Sequence, residues 1–184
     1  MNRLASPAQL RASYVRWALF LVPLIVLLGL GSGLLGGSTA QSPWFIALRK
    51  PAIFPPPIVF PIVWTALYVV MGLALALVCT AWGARWRGPA ILAFVLQLAA
   101  NLAWTPVFFG FHEIGPALYV ILALDVLVIV TVWLFWKVRR AAAVLMLPYL
   151  AWILFATVLN WHFLQLNPTL DGADVSSAVQ RIEI

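Results

Sequence analysis

The sequence predicts an all-α integral membrane protein, a five-transmembrane-helix bundle. Three observations lead there. Hydrophobic residues make up 65% of the chain and charged residues 9%, against roughly 45–50% and about 25% in soluble domains. A fold of 184 residues has too little interior to hide that much apolar side chain, so much of it must face lipid. The mean hydropathy of +1.04 is concentrated in five apolar runs, each near the about 20 residues that a helix needs to cross a bilayer. This composition excludes a soluble globular enzyme, a disordered chain and a disulfide scaffold, since Cys79 is the single cysteine.

Residues 1–16 form a basic segment with Arg3, Arg11 and Arg16. The first span is read over residues 17–37. A signal peptide's apolar region is about 7–15 residues, so the run is too long for one, although Ser38-Thr39-Ala40 looks like a cleavage site. Residues 38–57 form a loop holding Arg49-Lys50-Pro51 and Pro55-Pro56-Pro57. Proline fixes φ and lacks an amide hydrogen, so the loop is expected to be extended and stiff. A loop of this length is either a lid or a plain connector. The remaining spans are read over 58–82, 89–110, 115–136 and 142–164. None alternates apolar with polar residues as a barrel strand does. The 17–166 region is one transmembrane domain, without an internal repeat, and the polar tail 167–184 is expected to fray.

Charge sets the expected orientation. Eight of the 11 basic residues fall on the face shared by the N-terminus and the second and fourth connections, and three (Arg49, Lys50 and Arg181) on the other. Positive loops stay cytoplasmic, so the N-terminus is expected inside, with the first loop and C-terminus on the opposite side. The net charge of +6 could suggest nucleic acid, but the basic residues lie between apolar runs rather than on one face, so no nucleic-acid partner is expected.

The ten tryptophans divide by depth. Trp17, Trp82, Trp86, Trp133 and Trp136 lie at inner span ends and read as an interfacial belt, while Trp44 and Trp161 are ambiguous. Trp64, Trp104 and Trp152 lie within spans, where an indole N–H needs a partner. Helical spacing puts Gln97, Asn101, Trp104 and Phe108 on one face of the third span. Tyr149, Trp152, Ala156 and Asn160 share a face of the fifth, and Trp64 and Tyr68 lie one turn apart on the second. Trp64 and Trp104 each sit about six residues, roughly 9 Å, below the outer surface. The stripes therefore converge under the proline-rich loop, either as an aromatic cavity for a flat apolar ligand or as polar glue between helices.

The sequence carries no phosphate loop, zinc motif or nucleophile motif, so no catalytic and no metal residues are assigned. Asp125 is the one acid within a span; a proton relay and a polar dimer contact are its alternative readings.

Three stretches resemble one known family. The first is Trp44-Phe45-x-x-Leu48-Arg49-Lys50-Pro51, then Pro55-Pro56-x-x-Val59-Phe60-Pro61-x-Val63-Trp64-Thr65-x-Leu67-Tyr68-x-x-Met71-Gly72. The second is Gln97-Leu98-x-x-Asn101-x-x-Trp104-Thr105-Pro106-x-Phe108-Phe109. The third is Pro148-Tyr149-Leu150-x-Trp152-x-x-Phe155-Ala156-Thr157-x-Leu159-Asn160, followed by Leu166-Asn167. Together they resemble the tryptophan-rich sensory protein / translocator protein family, also called peripheral-type benzodiazepine receptors. The resemblance implies a five-helix bundle, usually a homodimer, that acts as a membrane receptor or sensor. Its ligands would be tetrapyrroles (porphyrin or haem) and other flat apolar molecules such as sterols or benzodiazepine-type compounds. No cofactor is expected to be required. Trp64, Tyr68, Gln97, Asn101, Trp104, Phe108, Trp152 and Ala156 would bind the ligand, with Arg49, Lys50, Pro51, Phe54, Pro55 and Pro56 as lid and rim. Arg49 and Lys50 would hold porphyrin propionates, or else lipid headgroups. Alternative readings are a light-dependent porphyrin-degrading enzyme and a tetrapyrrole or steroid transporter.

The first loop departs from the family pattern at Ile53, Phe54 and Ile58, where the family often has an aromatic residue, Asn and Trp. The loop tryptophan tied to porphyrin breakdown is thus replaced. The sterol motif after the fifth span is also missing, with Trp161 at its tyrosine position. A formal match occurs instead at Leu10, Tyr14 and Arg16, before the first predicted span.

Overall fold

The computed structural model describes residues 6–37 and 42–173; the Ser38-Thr39-Ala40 stretch and the basic residues Arg3 and Arg181 lie outside them. Five helices are long and apolar enough to cross a membrane: α1 (Pro7–Leu35), α3 (Val59–Cys79), α4 (Arg87–Thr105, extended by a π-helical turn Pro106–Gly110), α5 (Ile114–Val138) and α6 (Arg140–Leu166). A short helix α2 (Pro43–Ala47) lies in the first loop. There is no strand among the described residues, and the protein is an all-α, multi-pass membrane protein.

Helix α1 starts ten residues before the predicted span. The cause is a capping box: the Gln9 N–H donates to Ser6 Oγ (3.2 Å), and the Ser6 N–H donates to Gln9 Oε1 (2.8 Å). Pro7 fills the first helical position, where a missing N–H leaves nothing unpaired. Helix α3 ends before its predicted limit. The Thr80 hydroxyl folds back on the Leu77 carbonyl, and Gly83 turns the chain at φ +81°. Most large apolar side chains along α1 point outward, with Leu34 84% exposed, as lipid contact requires.

The helices form a ring in the order α1, α3, α6, α5, α4, with α4 touching α1 again. Small residues allow the close approach of α1 and α3. A Cβ on Gly72 would sit 2.8 Å from the Val22 Cα, and one on Gly29 would sit 2.1 Å from the Tyr68 ring. The contact of α1 with α4 rests on proline. Pro106 has no N–H for the Leu102 carbonyl four residues back. Ser32 on α1 donates its hydroxyl to that carbonyl at 2.6 Å. Beyond Pro106 the chain widens into the π turn, and the Phe111 N–H reaches the Pro106 carbonyl at 2.9 Å.

The two ends differ. At one, Trp82, Trp86, Trp133 and Trp136 are exposed, each under a cation: Arg87, Arg85, Lys137 and Arg140 respectively, at 4.1–5.5 Å from the ring. The other end is covered by the first loop and the start of the C-terminal tail. The described part of the tail expected to fray, Asn167 to Ala173, is bonded to the loop and to the start of α5. Asn167 clamps the loop, accepting from the Arg49 N–H (2.7 Å) and donating to the Arg49 carbonyl (3.0 Å). Asp171 Oδ1 accepts from the Ile114 and Gly115 N–H groups at 2.6 and 3.0 Å, capping α5.

Candidate functional site

Beneath the loop, buried polar side chains pair across helices. The Tyr68 hydroxyl on α3 donates to Asn101 Oδ1 on α4 (3.0 Å). The Tyr149 hydroxyl on α6 donates to Gln97 Oε1 on α4 (2.8 Å). The Trp104 indole donates to Asn160 Oδ1 (3.0 Å), and Asn160 Nδ2 donates to the Ile114 carbonyl at the start of α5 (3.0 Å). These bonds tie α3, α4, α5 and α6 over about two turns of α4, roughly 10 Å, in an interior where an unpaired polar group is costly. Three buried polar atoms lack a partner among the described residues: Gln97 Nε2, Asp125 Oδ1 and Trp152 Nε1.

The predicted residues separate into two groups. Gln97, Asn101 and Tyr68 are buried, with Asn101 and Tyr68 bonded to each other and Gln97 bonded to Tyr149 on α6. Phe108 is 2% exposed, packed between the Trp104 ring (5.0 Å, stacked) and the Trp44 ring (5.5 Å, edge-on). It fills space under the loop rather than lining a slot. Trp64, Trp152 and Ala156 are half-buried, as are Phe54 and Pro55 of the loop. They lie beneath the loop on α3 and α6 and in the loop itself. Phe60 belongs with them, 5.3 Å from Phe54 and 6.0 Å from Trp152. The sequence reading missed it, although Phe60, Trp64 and Tyr68 are spaced by four and share one helix face. Phe155 also touches Trp152, at 5.5 Å.

The loop is held by its own chemistry. Trp44, left ambiguous in sequence, is an anchor. It is 2% exposed, stacks on His112 at 4.6 Å and donates its indole N–H to the Leu170 carbonyl at 3.0 Å. Lys50, expected to hold propionates or lipid headgroups, is engaged within the loop. Its ammonium donates to the Phe45 and Leu48 carbonyls and lies 4.3 Å over the Phe45 ring. The open carbonyls at the C-terminal end of α2 attract a cation, and Lys50 is the nearest one. Partial burial lowers its pKa from the ordinary lysine value. Arg49 is exposed, with its backbone held by Asn167. Pro51 is buried, while Pro56 is exposed at the rim.

Asp125 is buried against α6. Its Oδ2 accepts from the Thr157 hydroxyl on α6 at 2.9 Å. No group of His, Cys, Asp and Glu among the described residues is arranged to hold a metal ion.

The arrangement thus gathers half-buried aromatic rings beneath the loop around one buried indole N–H that has no acceptor among the described residues. The model of the TspO/MBR family matches residues 16–166. A "Tryptophan-rich sensory protein" of Cereibacter sphaeroides is 39% identical over 152 residues, 82% of this chain and 92% of that one. A "Tryptophan-rich protein TspO" of Chlorobaculum tepidum is 37% identical over 143 residues, 76% and 90% of the two chains. The human "Translocator protein" is 38% identical over 121 residues, 64% and 71% of the two.

Proposed function

The chain belongs to the TspO/MBR family, and from that membership we propose that it is a membrane sensor for flat, largely apolar ligands of the tetrapyrrole class, with sterols and drug-like aromatics as weaker ligands. The site is the slot between α3, α6 and the first loop. One observation carries this reading. The Trp152 indole N–H is buried with no acceptor among the described residues, on a half-buried ring flanked by Phe60 and Phe155. A buried donor without a partner is rare and costly, and a ligand acceptor would satisfy it. The half-buried rings of Phe54, Phe60 and Trp64 offer stacking surface of the kind that flat ligands use. On this reading the basic end of the bundle lies in the cytoplasm, the loop end lies outside, and two copies form the working unit.

Protoporphyrin titration of purified protein, read by tryptophan quenching, tests the proposal. Saturable quenching is expected. Trp152→Phe keeps most of the apolar contact but loses the N–H, so affinity should fall roughly 5- to 10-fold, as for one neutral hydrogen bond. Trp152→Ala should weaken it further. Non-saturating quenching, unchanged by either variant, would overturn the reading.

A further inference from the structure

The opposite end of the bundle carries a second site. Helix α1 has 29 residues, about 43 Å at 1.5 Å per residue, well beyond the about 30 Å hydrocarbon core of a bilayer. Its first three turns, Pro7 to Arg16, precede Trp17 and so stand at headgroup depth. Two clefts flank these turns. One, of about 210 Å³, lies between α1 and the ends of α3 and α5, lined by Leu10, Arg11, Tyr14, Leu77, Thr80 and Arg139. The other, of about 380 Å³, is lined by Ser13, Arg16, Trp17, Phe20 and Trp82.

The basic residues at this end divide sharply between two roles. Arg85, Arg87, Lys137 and Arg140 each sit over a tryptophan ring. The three others with described positions, Arg11, Arg16 and Arg139, have no ring contact and no ion pair among the described residues, and these are the three that line the clefts. Arg11 and Arg139 come from distant parts of the chain to one cleft, beside two hydroxyl-bearing side chains, Tyr14 and Thr80. Like charges are not gathered there by mutual attraction. Thr80 donates its hydroxyl to the Leu77 carbonyl, so the two guanidinium groups and the Tyr14 hydroxyl are the donors left for a phosphate, which takes paired N–H donors. The remaining lining, Leu10 and Leu77, is apolar and suits the start of an acyl chain. The formal sterol motif is split by this geometry, since Leu10 and Tyr14 face one cleft and Arg16 the other.

We propose that the cleft between Arg11 and Arg139 is a binding site for the headgroup phosphate of an anionic phospholipid. The lipid bridges the first turns of α1 to the α5–α6 corner and fixes the depth of the helix. Basic pockets between membrane helices bind anionic headgroups in this manner. This site is independent of the ligand slot at the other end.

Native mass spectrometry of the full chain, released from micelles containing equal phosphatidylglycerol and phosphatidylcholine, tests the site. Phosphatidylglycerol should be retained in preference. The double variant Arg11→Gln/Arg139→Gln should lose that preference by roughly 30-fold, as two basic side chains near an anionic surface predict. The control Arg85→Gln/Arg87→Gln, which removes two cations seated on tryptophan, should keep it. Equal retention of both lipids by the native chain would overturn the proposal, and this needs no variant. Equal loss in the control pair would also overturn it, because the effect would then be the general charge of this end. Displacement of the lipid by millimolar inorganic phosphate would assign the cleft to a soluble anion instead.

Discussion

Lys50 and Arg49 are neighbours in sequence with separate tasks in space. The Lys50 ammonium closes the end of α2 through the Phe45 and Leu48 carbonyls, so its charge is engaged within the loop. The Arg49 side chain is exposed, and only its backbone is tied, to Asn167. A porphyrin carries propionates, so the two substitutions should separate. Arg49→Gln should weaken binding of a dicarboxylate porphyrin by about 3- to 10-fold and leave its dimethyl ester unchanged, as for one exposed charge-assisted contact. Lys50→Gln should weaken both to the same extent, because it loosens the loop rather than a propionate contact. Titrating acid and ester against each variant checks this, and equal loss for Arg49→Gln would remove its rim role.

At the scale of the element, proline decides how α1 meets α4. The Leu102 carbonyl loses its helical donor to Pro106 and gains the Ser32 hydroxyl. Ser32→Ala should therefore destabilise the bundle by about 1–3 kcal/mol, the cost of leaving a buried carbonyl unsatisfied. In a Pro106→Ala background the backbone N–H returns, and the same change should cost much less. A thermal-unfolding double-mutant cycle in detergent would show that coupling, and additive losses would refute the account. The sequence makes some of this legible and hides the rest. Run lengths place the five helices, because lipid imposes a uniform apolar length that few residues can escape. The spacing of Gln97, Asn101 and Trp104 finds one face of α4, since helical geometry is local. The Ser6–Gln9 capping box is local too and could have been read from the sequence. Ser32 with Leu102, Trp44 with Leu170 and Asn167 with Arg49 join positions 70 to 126 residues apart, and nothing local announces such pairings. The same holds for Lys50, whose type suggested a ligand charge while its tertiary position gave it to α2.

Across the whole molecule, the two ends are built by different physics. The loop end is closed by directional bonds: Asn167 on Arg49, Asp171 on the first N–H groups of α5, and Trp44 on the tail. The other end is a ring of cations on exposed tryptophans, the arrangement a lipid–water interface favours. Among the described residues it holds Arg11, Arg16, Arg85, Arg87, Lys137, Arg139 and Arg140, while the loop end holds Arg49 and Lys50. Basic loops resist translocation, and the proposed cytoplasmic placement of the basic end rests on this asymmetry. Two single cysteines, each in a Cys79→Ala background, test that assignment, and the buried Cys79 itself is a poor target for polar reagents. Arg139→Cys at the α5–α6 corner should react with a membrane-impermeant maleimide only in inverted vesicles. Arg49→Cys should react only in right-side-out vesicles or intact cells. Both positions are exposed, so a lack of reaction on one side reports the membrane and not burial. The opposite pattern would reverse the orientation of the bundle. It would also turn the slot beneath the loop, and any ligand it admits, toward the cytoplasm.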